Sequence, residues 1–165
     1  MRCYLVRHGE ATTDAQGSAR SLSGHGREEV RLVALHAAAA GVQVAQILHS
    51  GKPPARQTAE ILADYLRPAR GAREMDGLSR DDHPEKARAV LHAATEPLMI
   101  VGDLPHLSLL ASALLVGAAE KEIVSLQTGA MACLVQTQRI FRLEWLLTPD
   151  LAGAHDLSTG PGGDG

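Results

Sequence analysis

Three short stretches of this sequence carry side chains able to act on a phosphoryl group. In the first, Arg7-His8-Gly9-Glu10 follows directly on the run Cys3-Tyr4-Leu5-Val6. An imidazole at the end of a buried strand can attack phosphorus, and a neighbouring guanidinium can grip two phosphate oxygens in a fork. In the second, His49-Ser50-Gly51-Lys52-Pro53-Pro54-Ala55-Arg56 sets two cations, Lys52 and Arg56, about a turn. The third, Gly102-Asp103-Leu104-Pro105-His106, brings a carboxylate and a second imidazole. His8 and Arg7 are the candidates for the chemistry. Arg7, Arg56, Asp103 and His106 are the candidates for holding phosphate.

Each candidate has a plainer reading. Arg56 is a solvated helix charge if it faces outward, and His106 is a partly buried or surface histidine. Asp81 or Asp82 could donate a proton, but Asp82 also suits a helix cap. Glu10 can contact His8 or solvent. His8, Asp103 and His106 are suitable metal-ligand types, yet no histidine-rich spacing supports a metal site.

The elements that must position these groups follow from the hydrophobic pattern. Arg2–Val6 reads as a short buried strand, and the Thr-, Ser- and Gly-rich stretch from Ala11 to Ser23 as a loop. Ser23 caps a helix to about Ala40, with Val30, Val33, Ala34 and Ala37 on one face and Gly41 as its stop. Val44–Leu48 is a second strand, followed by a helix from about Pro54 to Leu66 with Thr58, Ile61, Leu62 and Tyr65 on one face. A short strand near Arg73–Met75 precedes a helix capped by Asp82 or His83 and running to about Ala94.

Leu98–Val101 is the third clear strand, and a helix to about Val116 buries Leu107, Leu110, Ala111 and Leu114. Met131–Gln136 and Ile140–Leu146 form a hairpin at a sheet edge, and the Gly-rich tail from Gly153 is expected to be disordered. Alternating strands and helices predict an α/β fold, a three-layer α/β/α sandwich with a mostly parallel central sheet. The expected domain spans residues 1–152, with 153–165 as the tail. Ligands of such sheets bind in the loops at the carboxyl ends of strands, where all three stretches lie.

Composition narrows the function classes. The chain is 45% hydrophobic and 21% charged, which is globular composition. Aromatics make up only 2% and the formal charge is −3, both against a nucleic-acid-binding surface. The two cysteines, Cys3 and Cys133, fall within strands and read as reduced core residues. Without a leader-like opening or an apolar run of about 20 residues, the expectation is a soluble, cytoplasmic protein that does not bind membranes.

The motifs L-V-R-H-G-E, H-S-G-K-P-P-A-R-Q-T-A-E-I-L, I-V-G-D-L-P-H-L-S-L-L-A-S-A-L-L and L-E-W-L-L-T-P-D-L occur in order across residues 2–151. Together they resemble the SixA phosphohistidine phosphatases, a compact branch of the phosphoglycerate-mutase-like histidine phosphatase superfamily. The resemblance implies two-step phosphoryl transfer without metal or other cofactor. His8 would be the nucleophile that becomes a phosphohistidine, and Arg7 would hold the phosphate. It further implies a histidine-phosphorylated protein as partner, or a phosphate-bearing small molecule. Members of the SixA type lack the carboxylic general acid of their larger relatives, which suits imidazole as a leaving group.

Two positions depart from the family pattern. The second family arginine lies three residues before Gln-Thr, where this chain has Pro54. Arg56 stands two residues further, about 200° round a helix, and would point largely away. The second family histidine, in Gly-His-x-Pro, is here Asp103, whose carboxylate repels a phosphate dianion. An arginine on a transferring phosphoryl group is worth roughly 10³–10⁵ in rate. Either Lys52, Arg56 or His106 substitutes from another position, or the chain is a catalytically impaired pseudo-phosphatase serving as a phospho-ligand-binding or interaction module.

Overall fold

A computed structural model describes residues 1–17 and 19–153. The tail beyond Gly153, expected to be disordered, lies outside the described residues. The chain runs β1 (Arg2–Arg7), β2 (Ala11–Thr13), β3 (Ala19–Leu22), α1 (Gly24–Ala39), β4 (Gln46–His49), α2 (Pro53–Leu66) and β5 (Ala72–Glu74). It continues through α3 (Glu85–Ala93), β6 (Leu98–Gly102), α4 (His106–Val116), β7 (Met131–Thr137), β8 (Ile140–Leu147) and α5 (Pro149–Gly153).

The central sheet has six strands in the order β5-β4-β6-β1-β7-β8. β5, β4, β6 and β1 run parallel, while β7 is antiparallel to β1 and β8 to β7. Alternation along β1 divides the core in two. Cys3 and Leu5 face a cluster with Leu91, Leu107, Leu110 and Phe141, on the side of α3 and α4. Tyr4 and Val6 face a second cluster with Val30, Val33, Ala59 and Leu62, on the side of α1 and α2. The result is the three-layer α/β fold expected, with Cys3 and Cys133 free and buried on opposite faces of the sheet.

Register brings the strand ends to one edge. Arg7 pairs with Gly102 and Val6 with Val101, while His49 pairs with Val101 from the other side of β6. The three loops that leave β4, β6 and β1 therefore start side by side.

Ser23 caps α1 as expected, its side-chain oxygen accepting from the Gly26 N–H, and Val30, Val33, Ala34 and Ala37 are buried. Gly41 adopts φ +78° just past the helix, and its N–H reaches the Ala38 carbonyl. α4 is buried on more than the expected face, since Ser108, Ser112 and Ala113 are also covered. Val124 and Leu126, from the segment after it, join the same core cluster.

Two expectations are corrected, and one element is added. Residues 11–23 are not all loop, because Ala11–Thr13 and Ala19–Leu22 pair as a small antiparallel hairpin. Polar, turn-rich composition hid those strands; the Leu22 N–H is held by the Gln57 side chain at 2.7 Å, a contact remote in sequence. Asp82 does not cap α3; Pro84 takes that place, and the Asp82 carboxylate instead accepts from the Ser79 N–H at 2.8 Å. α5 was not foreseen; it is one short turn whose Ala152 is buried.

α1 is locked against the end of β1 by an absence of side chains. A methyl on Gly26 would collide with the Glu10 backbone carbonyl, and one on Gly9 would lie 2.8 Å from the Gly26 carbonyl. Gly26→Ala is therefore expected to lower stability by about 1–3 kcal/mol in urea unfolding. Gly24→Ala, which meets nothing within 4 Å, should change it by less than about 1 kcal/mol. Equal effects at the two positions would show that this close approach does not constrain the fold.

Candidate functional site

The His8 side chain is almost buried, and its orientation is set by its own neighbour. Nδ1 lies 2.7 Å from the Gly9 carbonyl oxygen. A carbonyl only accepts, so Nδ1 is the donor of this bond and Nε2 is the ring nitrogen left to face outward. The Gly9 peptide is clamped in turn. Its N–H donates to Thr58 Oγ1 at 3.1 Å, and the Thr58 hydroxyl donates to the Pro54 carbonyl at 2.8 Å. Thr58 is fully buried on α2, so the helix that follows β4 fixes the imidazole that follows β1. The His8 N–H, held by the Gly102 carbonyl at 3.0 Å, ties the same loop to β6.

His8 opens onto a cavity of about 530 Å³, lined by Ser50, Lys52, Pro54, Ala55, Ser79, Arg80, Asp81 and Asp103, with Gly17 of the hairpin turn. The turn after β4 is shaped by the Gly51 N–H donating to His49 Nδ1 at 3.1 Å. Burial lowers the pKa of His49, keeping it a neutral acceptor. Gly51 has φ +77°, and any side chain there would strike the Glu74 carboxylate. This turn carries Lys52 to the N-cap of α2, at the cavity wall. Pro53 and Pro54 have no N–H, so the first donor that helix can offer is Ala55.

Asp103 faces His8 from the end of β6. Its Oδ1 stands 3.4 Å from His8 Nε2 and 3.7 Å from Arg7 Nε, and it accepts from the Leu104 N–H at 2.7 Å. Burial raises the pKa of this carboxyl, but the His8 imidazole, the Leu104 N–H and the Arg7 guanidinium outweigh it, leaving the group below its ordinary value. Arg7 lies behind this pair and does not line the cavity. Its Nη1 donates to the Leu126 carbonyl at 3.0 Å, and its buried Nε has no hydrogen-bond partner.

The other candidates are placed elsewhere. Arg56 is half exposed, with Nε 3.7 Å from Glu60 on the same helix, and it does not line the cavity. His106 is fully buried at the start of α4, with neither ring nitrogen in a hydrogen bond of normal geometry. Burial lowers its pKa, against the opposing pull of Asp82 and the Gly77 backbone. Glu10 accepts from the Ser23 hydroxyl at 2.7 Å. Sequence reasoning missed Arg80, whose Nη1 stands 4.0 Å from Asp103 Oδ2. Its only sequence signal was adjacency to Asp81 and Asp82, whose loop the family resemblance sets over the pocket, as the cavity lining bears out. Among the described residues, no group of three His, Cys, Asp or Glu side chains is arranged to hold a metal ion, and no helix is long and apolar enough to cross a membrane.

Comparison with known proteins identifies the fold. The family model of the histidine phosphatase superfamily (branch 1) matches residues 3–94. No curated protein matches the chain. Among solved structures, the protein histidine phosphatase SixA complexed with tungstate superposes with a TM-score of 0.82 at 25% identity, covering 91% of this chain and 98% of that one. A protein assigned as SixA from Agrobacterium tumefaciens gives 0.75 at 23% identity, covering 90% and 97%. A protein of Escherichia coli K-12 assigned as an alpha-ribazole-5'-P phosphatase gives 0.73 at 18% identity, covering 90% and 98%.

The pKa of Asp103 makes a pH-dependent prediction. Its folded pKa is depressed, so the stability it contributes is present above the unfolded value, about 3.9, and is lost as pH falls through the folded value. Urea unfolding of wild type and Asp103→Asn should differ most near neutrality, in favour of wild type. The difference should shrink only below about pH 4. A gap independent of pH from 3 to 7 would mean that Asp103 is not held as a carboxylate by its neighbours.

Proposed function

Because the chain belongs to the histidine phosphatase superfamily, we propose that it is a phosphohistidine phosphatase of the SixA type acting through His8. The observation that carries this reading is the imidazole geometry: Nδ1–H committed to the Gly9 carbonyl, with His8 lining the cavity through the rest of its ring. In the first step the Nε2 lone pair forms a bond to phosphorus and the P–N bond of the substrate breaks. A phosphohistidine protonated on its other ring nitrogen leaves as neutral imidazole and needs no proton donor. Phospho-His8 is then a cation, and the Gly9 carbonyl stabilises it by continuing to accept the Nδ1 proton. In the second step water attacks phosphorus, the P–Nε2 bond breaks, the water gives up a proton to solvent, and neutral His8 returns. The tungstate bound by the SixA relative, an oxyanion of phosphate-like shape, agrees with this use of the site. Soluble protein in the cytoplasm, where phosphohistidine carriers turn over, is the setting that fits.

One observation favours a second reading, a phosphate-binding relative without turnover. Asp103 Oδ1 lies within reach of both His8 Nε2 and Arg7 Nε, where an oxygen of the phosphoryl group would be expected. A carboxylate there competes with substrate and repels it.

Incubation with a histidine-phosphorylated protein domain, following loss of label, separates the two. The proposal expects turnover that falls to background in His8→Ala. Binding of the phosphorylated domain without loss of label would establish the second reading instead. Pro54→Arg combined with Asp103→His should raise the rate by ~10²-fold or more, since each change restores a group that stabilises the transferring phosphoryl. A flat rate in this variant would show that these two positions are not where the activity is limited.

A further inference from the structure

The loop between β5 and α3 carries a cation that the recognisable motifs do not account for. Its backbone is fixed from below. Leu78 is fully buried, the Ser79 N–H donates to the Asp82 carboxylate at 2.8 Å, and the Asp82 N–H returns to the Ser79 carbonyl at 3.0 Å. Arg80 stands on this closed turn with its side chain 63% exposed and its guanidinium at the cavity wall. Its contacts are loose: 4.0 Å to Asp103 Oδ2 and 3.9 Å to Asp81 Oδ1, both beyond hydrogen-bond length.

The opposite wall lacks a matching group. α2 presents Pro54 to the cavity, and Arg56 is turned to Glu60. Lys52 is a point charge without a fork. Asp103 is thus bracketed, with Arg7 and His8 facing one oxygen and Arg80 the other. Arg7 Nε is a buried donor still lacking an acceptor. An anion taking the place of the Asp103 carboxylate would meet the same two guanidiniums.

We propose that Arg80 is the phosphate-gripping residue of this site, reaching from across the cavity to do what Pro54 cannot, and that Asp103 is the counter-ion it releases when a phosphoryl group enters. The inference rests on the phosphatase reading for the identity of the ligand. A fixed turn under a mobile guanidinium gives the fork reach without rebuilding the backbone, and a bidentate contact holds two equatorial oxygens at once. Asp103 keeps the empty site near neutrality and lowers its affinity for product phosphate.

The test measures inorganic phosphate binding by calorimetry beside turnover of a phosphohistidine domain, in the full chain. Arg80→Ala should weaken phosphate binding at least ~10-fold and lower kcat/KM by ~10²-fold or more, with thermal unfolding unchanged because the side chain is exposed. Arg80→Lys should recover only part of either, since the charge returns without the fork. Asp103→Asn should tighten phosphate binding, and by less in the Arg80→Ala background, because the two residues are coupled.

Phosphate binding within twofold of wild type in Arg80→Ala overturns the proposal. Turnover lost in His8→Ala but normal in Arg80→Ala also rejects the grip while leaving the phosphatase reading intact. Phosphate binding lost in Arg80→Ala with no turnover by wild type supports the grip and rejects the phosphatase reading. No phosphate binding by wild type at millimolar concentrations rejects both.

Discussion

The site depends on one hydrogen bond, from His8 Nδ1 to the Gly9 carbonyl. It decides which ring nitrogen is left to face the cavity, and it holds only if the Gly9 peptide cannot turn. Three elements prevent that. Thr58 of α2 accepts the Gly9 N–H, Gly26 of α1 leaves no room above the Glu10 carbonyl, and the Gly102 carbonyl of β6 holds the His8 N–H. The central sheet and both helices of one layer thus converge on the tautomer of a single imidazole. Such support is what a preorganised group requires, because its geometry is set before any ligand arrives.

Around that fixed ring the charges are unusual for a phosphate site. The lining holds Lys52 and Arg80 against Asp81 and Asp103, with Arg7 behind. The carboxylates cancel much of the field that would draw in a dianion. Chemistry with a good leaving group tolerates this better than hydrolysis of an alcohol ester, for which a proton must also be supplied. The same balance explains how His8 can stand beside a carboxylate within 3.4 Å of its Nε2. Asp103 is stabilised by the cations that flank it.

Much of the fold was legible because its signals are local and strong. The strands β1 and β6 are continuous apolar runs, the helix stop at Gly41 is a positive-φ turn, and Val30, Val33, Ala34 and Ala37 trace one buried face of α1. Convergence of the three loops followed from strand–helix alternation alone. What escaped depends on contacts between distant segments. The β2–β3 hairpin is anchored by Gln57, 35 residues from Leu22, and no periodicity reports that. Asp82 looked like a helix cap because its residue type suits one, yet a competing turn within the same loop took its side chain. Arg80 carries no motif of its own, and Thr58, though it lies in the second motif, gave no sign of its bond to Gly9; only the packing of α2 and the 77–84 loop gives them a place near His8.

The pair Pro53-Pro54 has a consequence beyond the missing arginine. Two consecutive pyrrolidine rings hold φ near −65° at the start of α2, so that wall cannot loosen or rewind around a guest. The cavity therefore joins a stiff floor to a pliant rim of long side chains. Adaptation to different guests must come from Lys52 and Arg80 changing rotamer, which takes picoseconds to nanoseconds, while the floor stays put. Shape discrimination in such a cavity falls to contacts made outside it, because the rim can close on many shapes.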